Sequence, residues 1–337
     1  MKAHCDPVRA AEDLARRVLA RKRVEGTATP AQTSTHAQGS IAVLRLVEGR
    51  GTAGTQPATP AESATTPLPK WADTVRGVPN AVLRSALFGV LKKGPRRHLE
   101  CQRIAAVQGT EVFYSGEQLD QGDLDVWTML LHLLREHTLG SSTRLTAYQM
   151  LRWLGKKDTG GRGGNRGTLD TRLSRLHANK LNIRVGSYHY QGRLVEHLRR
   201  DDVSGEYAIG LNPALHELFA KDQYTEVDAA IRSALEGQPL AHWLHGFYSS
   251  HAAPLPVSVK ALHHLCGSGA KRLDHFRQDL RKALITVTDI CTANGQPFSA
   301  EIIEDLVHVR RTPSRSQRKH LAKRRTTTHQ DRGRVPP

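Results

Sequence analysis

Apolar residues are spread unevenly along this chain, and the unevenness divides it. From Gly26 to Pro67 the composition shifts to Thr, Ala, Gly, Pro, Ser and Gln, and in the run GTAGTQPATPAESATTP only Glu62 lies outside that set. Such a stretch buries too little to fold and reads as a flexible linker. One apolar island, Ile41 to Val47, interrupts it. It is too short to fold alone, and it suits a partner-binding peptide and an idle sticky segment equally well. Ahead of the linker, residues 6–24 predict a short basic amphipathic helix, with Asp6 as N-cap, Pro7 at the first helical position and Val8, Ala11, Ala15, Val18 and Leu19 on one stripe.

From Leu68 the pattern becomes regular, and two stretches repeat one order of signals. The first predicts a helix from about Leu124 to His137, an extended stub from Thr143 to Leu145, a helix capped by Thr146 and an Arg-rich helix near Thr168 to Asn179. LNIRVGSYHYQGRLVEHL and EYAIGLN follow, whose β-branched and aromatic residues around Gly turns predict a hairpin. The second stretch predicts a helix over about Leu240 to Ser250, a stub at Val257, a helix capped by Ser258, a basic helix from about Gly269 to Cys291 and the hairpin PFSAEIIEDLVHVRR. RLTAYQMLRWLG and PVSVKALHHLCG align without gaps, Thr146 over Ser258 and Gly155 over Gly267, as a weak internal repeat. Helix, stub, helix, basic helix and hairpin is the order of a winged helix. The expected fold is therefore α+β, mainly helical, with two tandem winged-helix domains, residues 68–212 and 213–311. A flexible segment, residues 1–67, precedes them and a disordered basic tail, residues 312–337, follows.

The periodicity also fixes which helix faces are free. In the first basic helix Leu169, Leu173 and Leu176 point inward, leaving Thr168, Thr171, Ser174 and Arg175 outward, Arg172 on the flank, and Arg162 and Arg166 in the preceding Gly-rich run. In the second, Leu273, Phe276, Leu280 and Leu284 form the buried stripe, so Lys271, His275, Gln278, Arg281 and Lys282 face outward with Arg272 and Arg277 at the edges. Arginines and lysines hold phosphates, whereas Gln278 can pair in bidentate fashion with adenine and is the best candidate for reading a base. Tyr188, His189 and Arg193 are expected in the first wing. A solvated charged face is the usual explanation of one such helix, but two phased copies weigh against it.

Charge strengthens that reading. Among 337 residues, 49 Lys and Arg outnumber 32 Asp and Glu, a formal charge of +17 that seeks polyanions. Beyond Val309 the chain is almost wholly polar, with Arg310, Arg311, Arg315, Arg318 and Lys319 among ten cations and only Asp331 against them. No stretch approaches the roughly 18 apolar residues of a membrane span, and the N-terminus lacks the apolar core of a secretory signal, so a cytoplasmic protein without membrane partners is expected. Four scattered cysteines with no C-x-x-C suggest neither disulfides nor a zinc knuckle.

Enzymatic readings fare poorly against the same residues. Gly160 to Gly167 lacks the Lys and the preceding strand of a phosphate loop. Neither His242 with His245 nor His263, His264 and Cys266 make up a complete set of four metal ligands. No H-x-H occurs, which disfavours a rolling-circle nicking enzyme. A tyrosine recombinase would use an H-x-x-R, matched by His197 to Arg200, with Tyr224 or Tyr248 as nucleophile, but the match is cheap in so basic a chain. Asp120, Asp123 and Asp125 read as helix N-terminal charge. No enzyme activity, cofactor or metal is expected.

Three strings carry a resemblance: LPKWADTVRGVPNAVLRSALF (Leu68 to Phe88), HGFYSSHAAPLPVSVKALHHLCGS (His245 to Ser268) and DLVHVRR (Asp305 to Arg311). Across Leu68 to Arg311 the chain resembles the TrfA-type replication initiators of IncP-like plasmids. That resemblance implies tandem winged helices that bind directly repeated sequences, iterons, at a plasmid origin, help open an adjacent AT-rich segment, recruit the host helicase, and form dimers that restrain copy number. It also implies contacts with the host initiator and the sliding clamp; the nearest match to the family's Gln-Leu-x-Leu-Phe-like clamp peptide, Val43 to Val47, lacks the Gln and the Phe. By its place after the Gly267, Ser268 turn, the helix carrying Lys271 to Lys282 inherits the iteron-reading role. An autoregulatory transcription repressor on the same fold is the rival reading.

Overall fold

The computed structural model describes residues 67–322 except Lys93 and Arg162. The expected helix over residues 6–24, the linker, the island Ile41 to Val47 and the tail beyond Ala322 lie outside the described residues. In chain order the elements are β1 (Val75–Pro79), α1 (Asn80–Leu83), β2 (Phe88–Gly89), β3 (His98–Ile104), β4 (Thr110–Glu117), β5 (Leu119–Asp120), α2 (Gln121–Leu134), β6 (Ser142–Thr146), α3 (Ala147–Trp153), α4 (Asn165–His177), β7 (Lys180–Val185), β8 (Tyr188–Gly192), β9 (His197–Arg200) and β10 (Glu206–Gly210). A 3-10 helix (Pro213–Phe219), β11 (Tyr224–Asp228), α5 (Ala229–Ala234), α6 (Pro239–Ser249), β12 (Val257–Ser258), α7 (Val259–Leu265), α8 (Leu273–Ala293), β13 (Phe298–Ile303) and β14 (Leu306–Arg311) follow.

Helix starts follow local chemistry. Asp120 caps α2 and shares a reciprocal capping box with Asp123, while Thr146 caps α3 and Ser258 caps α7 through their hydroxyls. Each cap satisfies an amide at a helix start that would otherwise lack a partner. Gly267, at φ +64°, ends the turn after α7, where a Cβ would lie 3.0 Å from that of Ala86. Only glycine fits both the backbone and the space.

Two short sheets share one pattern. In each, the stub strand before a helix pair hydrogen-bonds to the last strand after it, in the orders β6-β10-β9 and β12-β14-β13. Between the first helix pair and its closing hairpin the chain inserts β7 and β8, which extend β3 and β4 into a four-stranded antiparallel sheet, β3-β4-β7-β8. The α+β class therefore holds, with more strand than the sequence pattern suggests. Residues Tyr188 to Arg193, expected in the first wing, lie on or just after β8 of this other sheet; the hairpin that closes on the stub is β9–β10.

Two buried clusters organise this part of the chain. The first runs from Leu68 to Val227 and includes Trp127, Met150, Leu169, Leu173 and Leu176; the second, from Ile231 to Val309, includes Trp243, Phe247, Phe276, Leu280 and Leu284. Leu215, Leu218, Phe219 and Val227, read from sequence as the head of a second domain, pack into the first cluster, and β11 pairs with β1. The clusters are joined by Trp243 Nε1, which donates to Ser85 O at 3.1 Å, and by the Val90 amide, which donates to Cys266 O at 2.8 Å. The tail, expected to be disordered from 312, is helical over residues 315–322, where Gln317 Nε2 donates to Ser249 O and Gln317 Oε1 accepts from Arg311.

Candidate nucleic-acid interface

The helix that follows each capped helix buries the apolar stripe that sequence periodicity assigns, but the two helices differ in how their cations are used. On α4, Leu169, Leu173 and Leu176 are buried and Thr168, Thr171 and Ser174 exposed. Thr168 and Thr171 turn their hydroxyls onto their own helix, donating to Gly164 O and Gly167 O at 3.1 and 2.8 Å. Arg166 grips Asp158 with Nε and Nη2 at 2.5 and 2.7 Å. Arg162 lies outside the described residues.

Arg175 corrects the sequence reading outright. Its side chain is 9% exposed, with Nη1 on Asp123 Oδ1 at 2.6 Å and Nε on Glu117 Oε2 at 3.1 Å, and Asp123 is wholly buried. Burial and the neighbouring Asp120 charge push the Asp123 carboxyl up to about 6, against the pull of Arg175. The guanidinium is committed to the fold. Arg172 is half-buried over Gly122, where a Cβ would collide with its guanidinium, rather than standing on the outer flank. Burial alone would raise Asp120, but the hydrogen bond from Arg96 and the Arg172 charge outweigh it and hold that carboxyl below its usual range. Arg193 is half-buried, and its carbonyl accepts from the Tyr190 hydroxyl at 2.6 Å.

The register shows cations that sequence reasoning missed. Ala208 on β10 pairs with Arg144 on β6 and Arg199 on β9, so the two exposed arginines flank it on one face of the three-stranded sheet. The alternation in STRLT and HLRR is the signal that could have found them.

On α8 the picture is simpler. Lys271, Arg272, His275, Gln278, Arg281 and Lys282 are all exposed, while Phe276, Leu280, Ala283, Leu284, Val287 and Cys291 are buried and Leu273 is half-buried. Arg272 shares a surface pair with Asp274 at 3.3 Å. Arg277 is different: its Nη2 reaches Asp305 Oδ1 at 2.6 Å and its Nη1 reaches Glu304 O at 2.7 Å, tying the β13–β14 turn to the helix. The loop before α8 is set by His263, whose Nε2 lies 3.0 Å from Ala270 O and whose ring meets Phe276 edge-on.

Two residues of the recombinase reading, Tyr248 and Arg200, have other partners. Tyr248 is buried against Phe247 and Phe298, burial pushes its phenol up, and Arg200 is paired with Asp170 at 3.1 Å. Cys266 is buried and its thiol is pushed up to about 12, so it is a poor nucleophile. Among the described residues no group of three or more His, Cys, Asp or Glu could hold a metal ion, and no helix is long and apolar enough to cross a membrane.

The sequence profile of the family described as TrfA protein matches residues 62–311, which takes in the stub strands, helix pairs and hairpins of both clusters. This chain belongs to the TrfA family. A curated relative, the plasmid replication initiator protein TrfA of Escherichia coli, is 28% identical over 251 residues, 72% of this chain and 63% of that protein. The chain thus matches less than two thirds of that TrfA protein's length. Among solved structures, domains 2 and 3 of RctB superpose with a TM-score of 0.48 at 14% identity, covering 69% of this chain and 98% of that one.

Proposed function

We propose that this chain is a plasmid replication initiator that binds iteron repeats in duplex origin DNA, promotes local strand opening and recruits the host helicase. The reading takes β6, α3, α4 and β9–β10 as one winged helix, and β12, α7, α8 and β13–β14 as a second. The matching sheet orders support it, since pairing of the stub strand with the last hairpin strand is what a winged helix requires. The observation that carries the proposal is the α8 face: His275, Gln278, Arg281 and Lys282, beside Asp279, exposed along one side of a helix whose other side is packed, with Lys271 and Arg272 exposed just ahead of its first turn. Such a helix can enter a major groove with its donors toward phosphates and one amide toward a base edge.

The two units contribute unequally in this reading. Sequence is read by α8. The first unit, whose Arg166 and Arg175 are held by carboxylates, positions the protein with Arg199 and with Arg144, which shares a surface pair with Glu206 at 3.6 Å. Dimerisation, and contacts with the host initiator and sliding clamp, belong to the same proposal.

The test is footprinting at stated salt on the parent replicon and on selected random DNA, followed by permanganate probing of supercoiled origin. Protected blocks of roughly 20 base pairs repeated in one orientation are expected, with α4 and α8 on the duplex about one helical turn apart. Reactive thymines beside them are expected of an initiator. Protection without reactivity would leave a repressor, and salt-labile binding without a preferred site would overturn groove reading altogether.

A further inference from the structure

A cavity of about 790 Å³ opens between the two buried clusters. Its walls come from the start of α2, the end of α3 and Arg172 on one side, and from α5 and the start of α6 on the other. Seven Lys and Arg line it against three Asp and Glu. Each acid is already taken: Asp120 by Arg96, Asp125 by Arg232 and Glu236 by Lys156. Lys92 and Arg152 line the same space with no ion-pair partner among the described residues, and Arg172 adds a charge that Asp120 shares with Arg96.

Two lining residues are also incompletely satisfied. Arg232 is 3% exposed; its Nε binds Asp125 and its Nη2 reaches Gln121, but its Nη1 has no hydrogen-bond partner. His242 is equally buried, and its Nε2 lies 3.6 Å from Asp125 Oδ1 without a hydrogen bond. Buried polar groups left in this state destabilise a fold unless a further group meets them. Surplus positive charge, unmatched polar atoms and a concave space of ligand size together describe an anion site.

We propose that this cavity binds a small phosphate-bearing anion of the nucleoside phosphate class. The volume far exceeds what a lone phosphate fills, and Leu91, Met129, Trp153 and Leu154 supply apolar wall for a base beside the cationic one. A phosphate on duplex DNA does not fit the same description, because a rigid double helix cannot carry it down to groups as buried as Arg232 and His242. Walls drawn from both clusters make the ligand a brace between them. Its occupancy therefore biases the relative placement of α4 and α8, and with it the site spacing the protein accepts.

Equilibrium dialysis of the full chain against labelled ATP and, separately, pyrophosphate, without DNA, tests this. Saturable binding of one ATP per chain is expected, tighter than pyrophosphate. It should weaken by at least about tenfold when Arg152→Gln and Arg172→Gln are combined, since two charge-assisted hydrogen bonds to the anion disappear. The tail pair Arg318→Gln and Lys319→Gln should leave it unchanged, and circular dichroism and melting check that both variants fold. Absence of saturable binding, or equal weakening in the tail variant, overturns the site. Equal affinity for pyrophosphate overturns the nucleoside assignment, and one-for-one displacement of ATP by duplex DNA gives the cavity to the DNA backbone instead.

Discussion

A guanidinium beside a carboxylate that has lost its water behaves differently from one on an open helix face. Arg175 meets a wholly buried Asp123, so removing it strands a charge in the interior. Breaking such a pair costs about 3–5 kcal/mol. Arg175→Ala is therefore expected to lower the urea midpoint sharply while the protein that remains folded binds DNA as before; unchanged stability with reduced DNA affinity would return Arg175 to the interface. Gln278 is the opposite case, exposed and free of packing duties. Gln278→Ala should leave the melting temperature unchanged and reduce binding to the specific site by about 1–3 kcal/mol, with random duplex unaffected. Titration at one salt concentration on both DNAs measures it, and equal reductions on the two would show that Gln278 reads no base. Acid sensitivity also belongs at this scale. Burial lowers His245 to about 3 and His251 to about 4. The unfolded chain therefore takes up protons near pH 6.5 that the folded chain refuses, and the stability these residues contribute is present above that pH and lost as pH falls. Between pH 6.5 and 5 each should remove about 1.5 kcal/mol. Urea titrations across that range check the slope, and His245→Gln should flatten it.

At the scale of elements, the bond from Arg277 to Asp305 and Glu304 fixes the β13–β14 turn against α8. Arg277→Ala is expected to raise amide exchange across Ile302 to Val307 and to weaken specific binding several-fold without shifting the melting temperature by more than a degree or two. Unaltered exchange in the hairpin would mean that strand pairing alone holds it. This bond also explains what sequence can and cannot disclose. Caps at Thr146 and Ser258 and the stripe Leu169, Leu173 and Leu176 are local, encoded within one or two turns, and are legible in the sequence. The partner of Arg277 lies 28 residues away and that of Arg175 lies 52 away, beyond any periodicity. The β3–β4 pair is hidden for another reason: a register shift between Leu99 and Gln102 breaks the alternation of β3, although TEVFYSGE in β4 alternates cleanly after the Gly109 turn. Sequence places Tyr188 to Arg193 in the closing hairpin because β7 and β8 alternate as convincingly as β9 and β10, and only their hydrogen-bonded neighbours tell them apart.

For the whole molecule, the formal charge of +17 makes affinity for any DNA a function of salt. The structure separates the cations that can serve this purpose from those that cannot. Arg311, read from sequence as part of the polycationic tail, is half-buried and donates from Nη1 to His251 O and Gln317 Oε1 at 3.1 and 3.0 Å. It anchors the helical stretch that starts at residue 315. Arg315, Arg318 and Lys319 stand exposed on that stretch, with no carboxylate partner among the described residues. Replacing these three with Gln is expected to weaken specific and random duplex by the same factor. It should also reduce the slope of log affinity against log salt by up to about one for each phosphate no longer neutralised. Arg311→Gln should instead lower the melting temperature and leave the slope alone. Anisotropy titrations from low to physiological salt on both DNAs separate the two outcomes. A slope unmoved by the triple variant would place the electrostatic contacts on α8 and on Arg144 and Arg199, leaving the tail helix a purely structural clasp on α6.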